Sequence, residues 1–230
     1  GETKKATTNA KGYSSITVNI SNKPVIGKVV VTDKSHAAIS YTLPFETAPK
    51  YYSIDLYADK YAGGTGTAAD PYVIATDLQL AKLARDINNS STQSNCVGQY
   101  FVLSNDIDLS SALWMPIGTW NQNVQRYFYG KFDGQGYTVK NMRMIWEGYS
   151  NKWCAWGLFS RIQGNSTTEA EFSSITNLII DKASLEKKKD YTPVGAGINL
   201  GIVVGEINVN AEISNIIVRN STITDDEDTY

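Results

Sequence analysis

Residues 175–180 read Ile-Thr-Asn-Leu-Ile-Ile, and residues 213–218 read Ile-Ser-Asn-Ile-Ile-Val. Residues 139–144, Val-Lys-Asn-Met-Arg-Met, follow the same order of apolar, polar, Asn, apolar, variable and apolar positions, at a nearly equal spacing. A glycine-led segment recurs ahead of two of these stretches, as Trp-Gly-Leu-Phe at 156–159 and Leu-Gly-Ile-Val at 200–203. Recurrence at such a period is typical of stacked repeats, in which each unit buries its apolar face on the next.

The composition of the repeats favours strands over helices. The repeated stretches are short, rich in Ile and Val, and bounded by Gly, Asn and Ser. They predict a parallel β-solenoid in which Asn141, Asn177 and Asn215 line up at one bend and bond the backbone or the next amide. The alternative is that Asn marks three unrelated turns.

One helix is predicted, over residues 76–88. Thr76 is a suitable N-cap, and Asp77 follows at the positive end of the helix dipole. A single apolar stripe recurs at intervals of three and four residues, and it comprises Leu80, Leu83, Ala84 and Ile87. This stripe is suited to cover the first turn of the solenoid, whose strand edges would otherwise be open.

The glycine-dense segment at 63–67 divides the chain into two predicted domains, 1–62 and 63–230. The first begins with a polar tether and contains four strand-like runs, at 15–20, 25–31, 38–43 and 51–57. Pro24, Pro44 and Pro49 lie between these runs. The expectation is a small antiparallel β module followed by an all-β domain.

Composition restricts the class of protein. The chain has 230 residues, of which 42% are hydrophobic, and this fraction is typical of a globular protein. Its net charge of −2 differs from the basic charge that is typical of a nucleic-acid binder. The opening residues look like a mature chain from which a leader has been removed, and a lipid anchor upstream would tie it to a membrane. Cys96 and Cys154 could form a disulfide after export or remain as two buried thiols.

From about residue 63 to 224, the order of motifs resembles bacterial surface proteins with GLUG-type repeats. The residues that carry the resemblance are a Gly-Thr-Gly-Thr-x-x-Asp-Pro-Tyr-x-Ile entry at 64–74, the helix, and segments at 100–109, 114–118 and 128–142, with the glycine-led elements at Gly157 and Gly201. The last two are degenerate, since Gly-Leu-Phe-Ser and Gly-Ile-Val-Val replace the usual Gly-Leu-Val-Gly. The resemblance implies a right-handed parallel β-helix on an exported, adhesin-like protein, and it brings no catalytic residues.

Candidate catalytic residues are few. His36 is the single histidine, and its polar surroundings favour a surface turn over a catalytic triad. Asp106 and Asp108 share one face of a strand, so they could hold Ca²⁺ or act as acid and base in a polysaccharide lyase. The interpretation we favour is that both carboxylates satisfy backbone groups in a turn. No cofactor and no metal are expected.

The aromatic residues suggest a binding site instead. All five tryptophans lie between 114 and 156, among tyrosines and amide side chains. Trp114 and Trp156 lie in the fold motifs and are expected in the core. Flat rings beside amide donors suit sugar faces and protein interfaces. The candidate ligand-binding residues are Trp120, Trp153, Tyr127, Tyr149, Arg126 and Asn151, although packing within loops is the alternative for this group.

These observations predict an extracellular, adhesin-like protein of the bacterial surface that binds a glycan or a host or matrix protein. The alternatives are a lyase-like, polysaccharide-active enzyme that uses Asp106 or Asp108, and a structural stalk that displays another element.

Overall fold

The computed structural model describes residues 25–33, 36–45, 58, 60–90, 96–119, 125–146, 154–165, 172–187 and 198–225. The chain forms two compact units, Gly1–Ala58 and Asp59–Tyr230. In the first, β1 (Val25–Asp33) and β2 (His36–Phe45) form an antiparallel pair. Both strands were predicted, whereas the predicted runs at 15–20 and 51–57 lie outside the described residues.

One prediction for this hairpin is wrong. Pro44 does not separate strands but lies within β2, opposite Ile26. Each strand of a two-stranded sheet has one unpaired edge, so a proline near a strand end can direct its missing donor away from the partner.

The second unit contains α1 (Asp77–Asn88), and here the prediction is confirmed. The Thr76 side chain caps the helix by accepting a hydrogen bond from the Gln79 backbone N–H at 3.2 Å. The predicted apolar stripe is buried in the main core, with Leu80 and Leu83 fully enclosed. Among the described residues, no helix has the length and hydrophobicity required to span a membrane.

The second unit is otherwise built of short strands. They are β3 (Tyr72–Ile74), β4 (Tyr100–Leu103), β5 (Ile107–Asp108), β6 (Lys131–Asp133), β7 (Thr138–Lys140), β8 (Arg143–Trp146), β9 (Cys154–Trp156), β10 (Phe159–Ile162), β11 (Ser173–Asp181), β12 (Ser184–Lys187), β13 (Ile198–Leu200), β14 (Val204–Ile207), β15 (Ala211–Arg219) and β16 (Thr222–Asp225).

All ladders between these strands are parallel. The largest sheet has the order β3-β4-β6-β11-β7-β5, and β15 adds to it by pairing with β11. Three smaller sheets pair β8, β12 and β16, then β9 and β13, then β10 and β14. The molecule is therefore mostly β, with parallel sheets and one short helix.

The parallel ladders join segments that lie far apart in the sequence, at unequal separations. Ile175 pairs with Ile213, and its neighbour Asn177 lies 38 residues before Asn215. On another sheet, Arg161 lies opposite Glu206, 45 residues later. On both sheets, a later segment of the chain therefore adds a parallel strand beside an earlier one.

The equivalence of Asn141 with Asn177 is wrong. The register pairs Val139 with Ile180, so Asn141 follows the position of Asp181 and corresponds to Lys182 and Asn220. These three residues have left-handed φ values of 58°, 57° and 51°. The equivalence failed because the apolar-polar-Asn pattern occurs twice around β15, within the strand at 213–215 and at its end at 218–220.

The equivalence of Asn177 with Asn215 is confirmed. Asn215 Nδ2 donates to Asn177 Oδ1 at 2.7 Å, and Asn177 Nδ2 donates to Asp133 Oδ1 at 2.9 Å. This amide ladder follows the largest sheet along the stacking direction. The bond from Asn215 to Asn177 is the bond between neighbouring amides that the sequence predicted, whereas the next position holds Asp133 rather than Asn141.

Apolar side chains of successive strands pack over one another inside the sheets. Met144 and Leu185 are register partners, as are Val139 and Ile180, and all four side chains are fully buried. The core cluster also includes the buried face of α1. A continuous apolar interior thus joins the helix to the parallel sheets.

Candidate functional site

The candidate site lies on the sheet formed by β10 and β14. Phe159 and Ile162 of β10 are fully buried in the core, whereas the Arg161 side chain forms an ion pair with Glu206 of the adjacent strand β14. Its Nε donates to Glu206 Oε2 at 3.0 Å, and Arg161 is only 1% exposed while the Glu206 side chain is 27% exposed. A buried guanidinium bonded to a more accessible carboxylate holds that carboxylate in a fixed direction.

Side-chain amides surround this ion pair. Asn199 Nδ2 donates to Glu206 Oε2 at 3.3 Å, and Asn208 Nδ2 donates to Gln163 Oε1 at 3.1 Å. The second pair links the residues that directly follow the two strands. The sheet surface therefore presents oriented amides beside a carboxylate.

Two tyrosines complete the group. Tyr127 and Tyr129 have ring centroids 5.9 Å apart in an edge-to-face arrangement, with Tyr127 half-buried and Tyr129 buried. Burial raises the pKa of the Tyr127 hydroxyl, a shift opposed by the charge of Arg161 and by a hydrogen bond with Asn208. We call the set formed by these tyrosines, the ion pair and the amides the Arg161 patch; its members are Tyr127, Tyr129, Arg161, Gln163, Asn199, Glu206 and Asn208.

The residues predicted as ligand-binding are divided by the structure. Tyr127 belongs to the Arg161 patch. Arg126 is 7% exposed, and its Nε donates to the Ser90 carbonyl at 2.8 Å, near the end of α1. Within the described part of the chain, Arg126 Nη1 has no hydrogen-bond partner. The other four predicted residues, Trp120, Trp153, Tyr149 and Asn151, lie outside the described residues.

Of the two tryptophans expected in the core, Trp114 is buried, and its Nε1 donates to the Leu158 carbonyl at 3.1 Å. Trp156 is half-buried and packs against the same core.

Asp106 and Asp108 each accept a hydrogen bond from a backbone N–H. Asp106 Oδ1 accepts from the Thr138 N–H at 2.9 Å, and Asp108 Oδ1 accepts from the Ser110 N–H at 3.0 Å. Asp108 Oδ1 also accepts from Asn141 Nδ2, and this bond is the main cause that lowers the pKa of Asp108. Both contacts are compatible with a structural role for these carboxylates, and the lyase alternative stays a prediction. In the described ranges, no group of three or more His, Cys, Asp or Glu side chains is arranged to hold a metal ion.

A cavity of about 570 Å³ lies beside α1, and Tyr61, Lys82, Asp86 and Cys96 are among its lining residues. Lys82 Nζ lies 2.6 Å from Asp86 Oδ2 and 4.9 Å from the centre of the Tyr61 ring. Burial raises the pKa of Tyr61, and the nearby Asp86 carboxylate adds to that shift. Since these polar groups satisfy one another, the cavity offers fewer oriented groups to a ligand than the Arg161 patch does.

Arg161 and Glu206 were not among the residues predicted from the sequence. The glycine-led repeats gave no signal for this pair, because aligning Gly157 with Gly201 places Arg161 beside Gly205. The strand register instead sets Arg161 opposite Glu206. Neither a protein-family model nor a curated protein nor a solved structure matches this chain.

Proposed function

We propose that this chain is an exported, non-catalytic binding protein of the bacterial surface, adhesin-like, and that the Arg161 patch contributes to a glycan-binding site. A host or matrix protein is the second ligand class. The resemblance to GLUG-repeat proteins supports the location and the adhesive role, and the site supports the ligand chemistry.

The proposal includes the fold. The parallel strands belong to successive turns of a right-handed parallel β-helix, and α1 covers its first turn. Two observations support this: the strand register repeats from turn to turn, and Leu80 and Leu83 of α1 share the core of the sheets. A rigid stack suits adhesion because it holds surface side chains in fixed positions.

The observation that carries the glycan proposal is the position of Tyr127 beside oriented polar groups. A tyrosine ring offers an apolar face to the C–H groups of a sugar, while its hydroxyl remains available for hydrogen bonding. Glu206 and the amides of Asn199 and Asn208 supply acceptors and donors for sugar hydroxyls. Arg161 binds Glu206 and so positions it, without requiring contact with the ligand itself.

A glycan array on the purified chain, followed by titration of tryptophan fluorescence with the best ligand, tests the proposal. Tyr127→Ala should weaken binding by about tenfold or more, the loss expected for one ring contact. Trp120→Ala and Trp153→Ala test the two candidate tryptophans. Tyr137→Ala is the matched control, because Tyr137 is an exposed tyrosine on the turn between β6 and β7.

Failure of the glycan proposal has defined forms. Binding to a matrix protein without binding to any glycan supports the second ligand class. Product formation from uronic-acid polymers that is lost in Asp108→Asn supports the lyase alternative. If neither binding nor turnover is seen, the stalk alternative is favoured.

A further inference from the structure

The cavity beside α1 has a wall of aromatic and aliphatic side chains. Tyr61, Tyr72 and Phe101 pack against one another, with ring centroids 4.8, 5.5 and 5.9 Å apart. Leu83 and Ile87, four residues apart on α1, line the cavity from the helix. Its volume of about 570 Å³ is within the range of small-molecule sites, which are mostly apolar with a few polar groups. We call it the Tyr61 cavity.

The glycine-dense segment before β3 shapes this wall. Gly64 and Gly66 both have a left-handed φ of 83°. A Cβ atom at Gly66 would overlap the Tyr72 ring, and a Cβ atom at Gly64 would overlap the Pro71 carbonyl. Because both positions require glycine, the turn can hold Tyr72 against the other two rings. The segment that the sequence marked as a domain boundary therefore also builds the cavity.

The charged residues of the lining leave an excess of positive charge. Among the described residues that line the cavity, Asp86 is the one acidic residue, and it accepts from Lys82, Arg85 and the Tyr61 hydroxyl. Lys60 also lines the cavity and is exposed, and within the described part of the chain no acidic side chain pairs with it. Two lysines thus face one carboxylate that is already bonded, and such a lining favours an anionic ligand.

The other titratable groups of the lining do not offset this charge. Burial raises the pKa of the Tyr61 hydroxyl, so it stays neutral. Burial also raises the pKa of the Cys96 thiol to about 12, so little thiolate is present near neutral pH. Lys82 Nζ has three donors, of which the bond to Asp86 uses one, so it can also donate to a ligand.

We propose that the Tyr61 cavity binds a small aromatic carboxylate, with the ring of the ligand against the apolar wall and its carboxylate beside Lys60 and Lys82. Aromatic rings gain from offset and edge-to-face contacts with one another. The lysine ammonium groups attract a carboxylate as point charges. Recognition here depends on rings and charge rather than on oriented amides, and the proposal is independent of the proposed glycan site.

Isothermal titration calorimetry of the full chain with naphthoate, and with its neutral analogue naphthamide, tests the proposal. The two compounds have the same rings and differ in the charge of one polar group. Naphthoate should bind at one site, and naphthamide should bind about tenfold more weakly at low ionic strength. The difference should become smaller in concentrated salt, because ions screen the exposed Lys60 charge.

Charge reversal locates the site. Lys60→Glu should weaken the binding of naphthoate by about tenfold and leave that of naphthamide unchanged, because it replaces attraction with repulsion. Lys182→Glu is the matched control, since it makes the same charge change at an exposed lysine between β11 and β12. Tyr61→Leu should weaken both compounds alike, since ring contacts do not depend on the charge of the ligand.

Several results would overturn the proposal. They are a lack of naphthoate binding, equal affinities for the two compounds, and an effect of Lys60→Glu that is absent or is reproduced by Lys182→Glu. A Tyr61→Leu variant that folds, as checked by circular dichroism, and keeps the wild-type affinity for both compounds would overturn it as well. The lysine variants change surface charge alone, so their outcome decides the proposal even if Tyr61→Leu does not fold.

Discussion

Asn215 Nδ2 lies 2.7 Å from Asn177 Oδ1, and the two residues share a left-handed backbone conformation, with φ values of 53° and 52°. They are 38 residues apart in sequence and lie on adjacent parallel strands. Asparagine is suited to this position for two reasons. It tolerates positive φ better than other non-glycine residues, and its amide can donate and accept along the stack.

Substitution of Asn177 should separate these two contributions. Asn177→Gly keeps the backbone conformation and loses the amide bonds, which should lower the free energy of unfolding by about 1–2 kcal/mol. Asn177→Ala adds the steric penalty of a left-handed residue, for a further loss of about 1 kcal/mol. Urea denaturation measures both, with the exposed Asn105→Ala as control. Equal losses in the two variants would show that the backbone conformation makes no separate contribution.

Truncation of two paired core residues should lower the free energy of unfolding by very different amounts. Leu185 is fully buried, and its register partner Ile223 is 45% exposed. Leu185→Ala should therefore cost about 3 kcal/mol and Ile223→Ala about 1 kcal/mol or less in the free energy of unfolding. Urea denaturation of both variants and the wild type is the appropriate measurement. A loss from Ile223→Ala as large as that from Leu185→Ala would contradict the difference in burial between these two register partners.

The lowered pKa of Asp108 implies a pH-dependent contribution to stability. A carboxyl whose pKa is lower in the folded state stabilises the protein above its unfolded pKa of about 4, and the contribution is lost as the pH falls through the folded pKa. Because Asp108 is exposed, Asp108→Asn should cost only about 0.5 kcal/mol near neutral pH, and the difference from wild type should vanish in acid. Unfolding measured across this pH range tests the sign, and a difference that grows in acid would refute it.

Burial raises the pKa of the Cys96 thiol to about 12. In the Cys154→Ser variant, Cys96 should therefore react with a thiol reagent far more slowly than a free cysteine at about pH 8.5, because little thiolate is present. The same variant in denaturant provides the control for full reactivity. Labelling of the folded chain at the rate of the unfolded chain would show that the thiol is accessible and ionised.

The sequence predicted the elements that depend on local pattern. Helix α1 has its cap at Thr76 and its stripe at Leu80 and Leu83 as expected, because capping and periodicity act within a few residues. The pairing of residue 175 with residue 213 was also readable, since the two stretches differ little. The position of Val139 was predicted wrongly, because Val139 and Ile175 have similar neighbours in the sequence. In the structure, Val139 lies opposite Ile180, toward the far end of β11 from Ile175.

The candidate site was less accessible to prediction. Tyr127 was identified from the density of aromatic residues, but its contact with Asn208 joins segments distant in the chain. Arg161 was missed because an arginine is ordinarily expected on the surface, whereas here the Glu206 carboxylate allows its burial. Contacts of this kind depend on which residues of two parallel strands lie opposite one another. Composition alone does not specify that register.

Disulfide trapping tests most directly whether β11 and β15 lie in the parallel register described. In a Cys96→Ser/Cys154→Ser background, Thr176→Cys with Ser214→Cys joins two outward residues directly opposite in the β11–β15 ladder. We predict that this pair closes under mild oxidation, since adjacent strands bring their Cα atoms within disulfide range, while Thr176→Cys with Glu212→Cys stays open. Closure of the second pair in preference to the first would contradict the register and the stacked arrangement built on it.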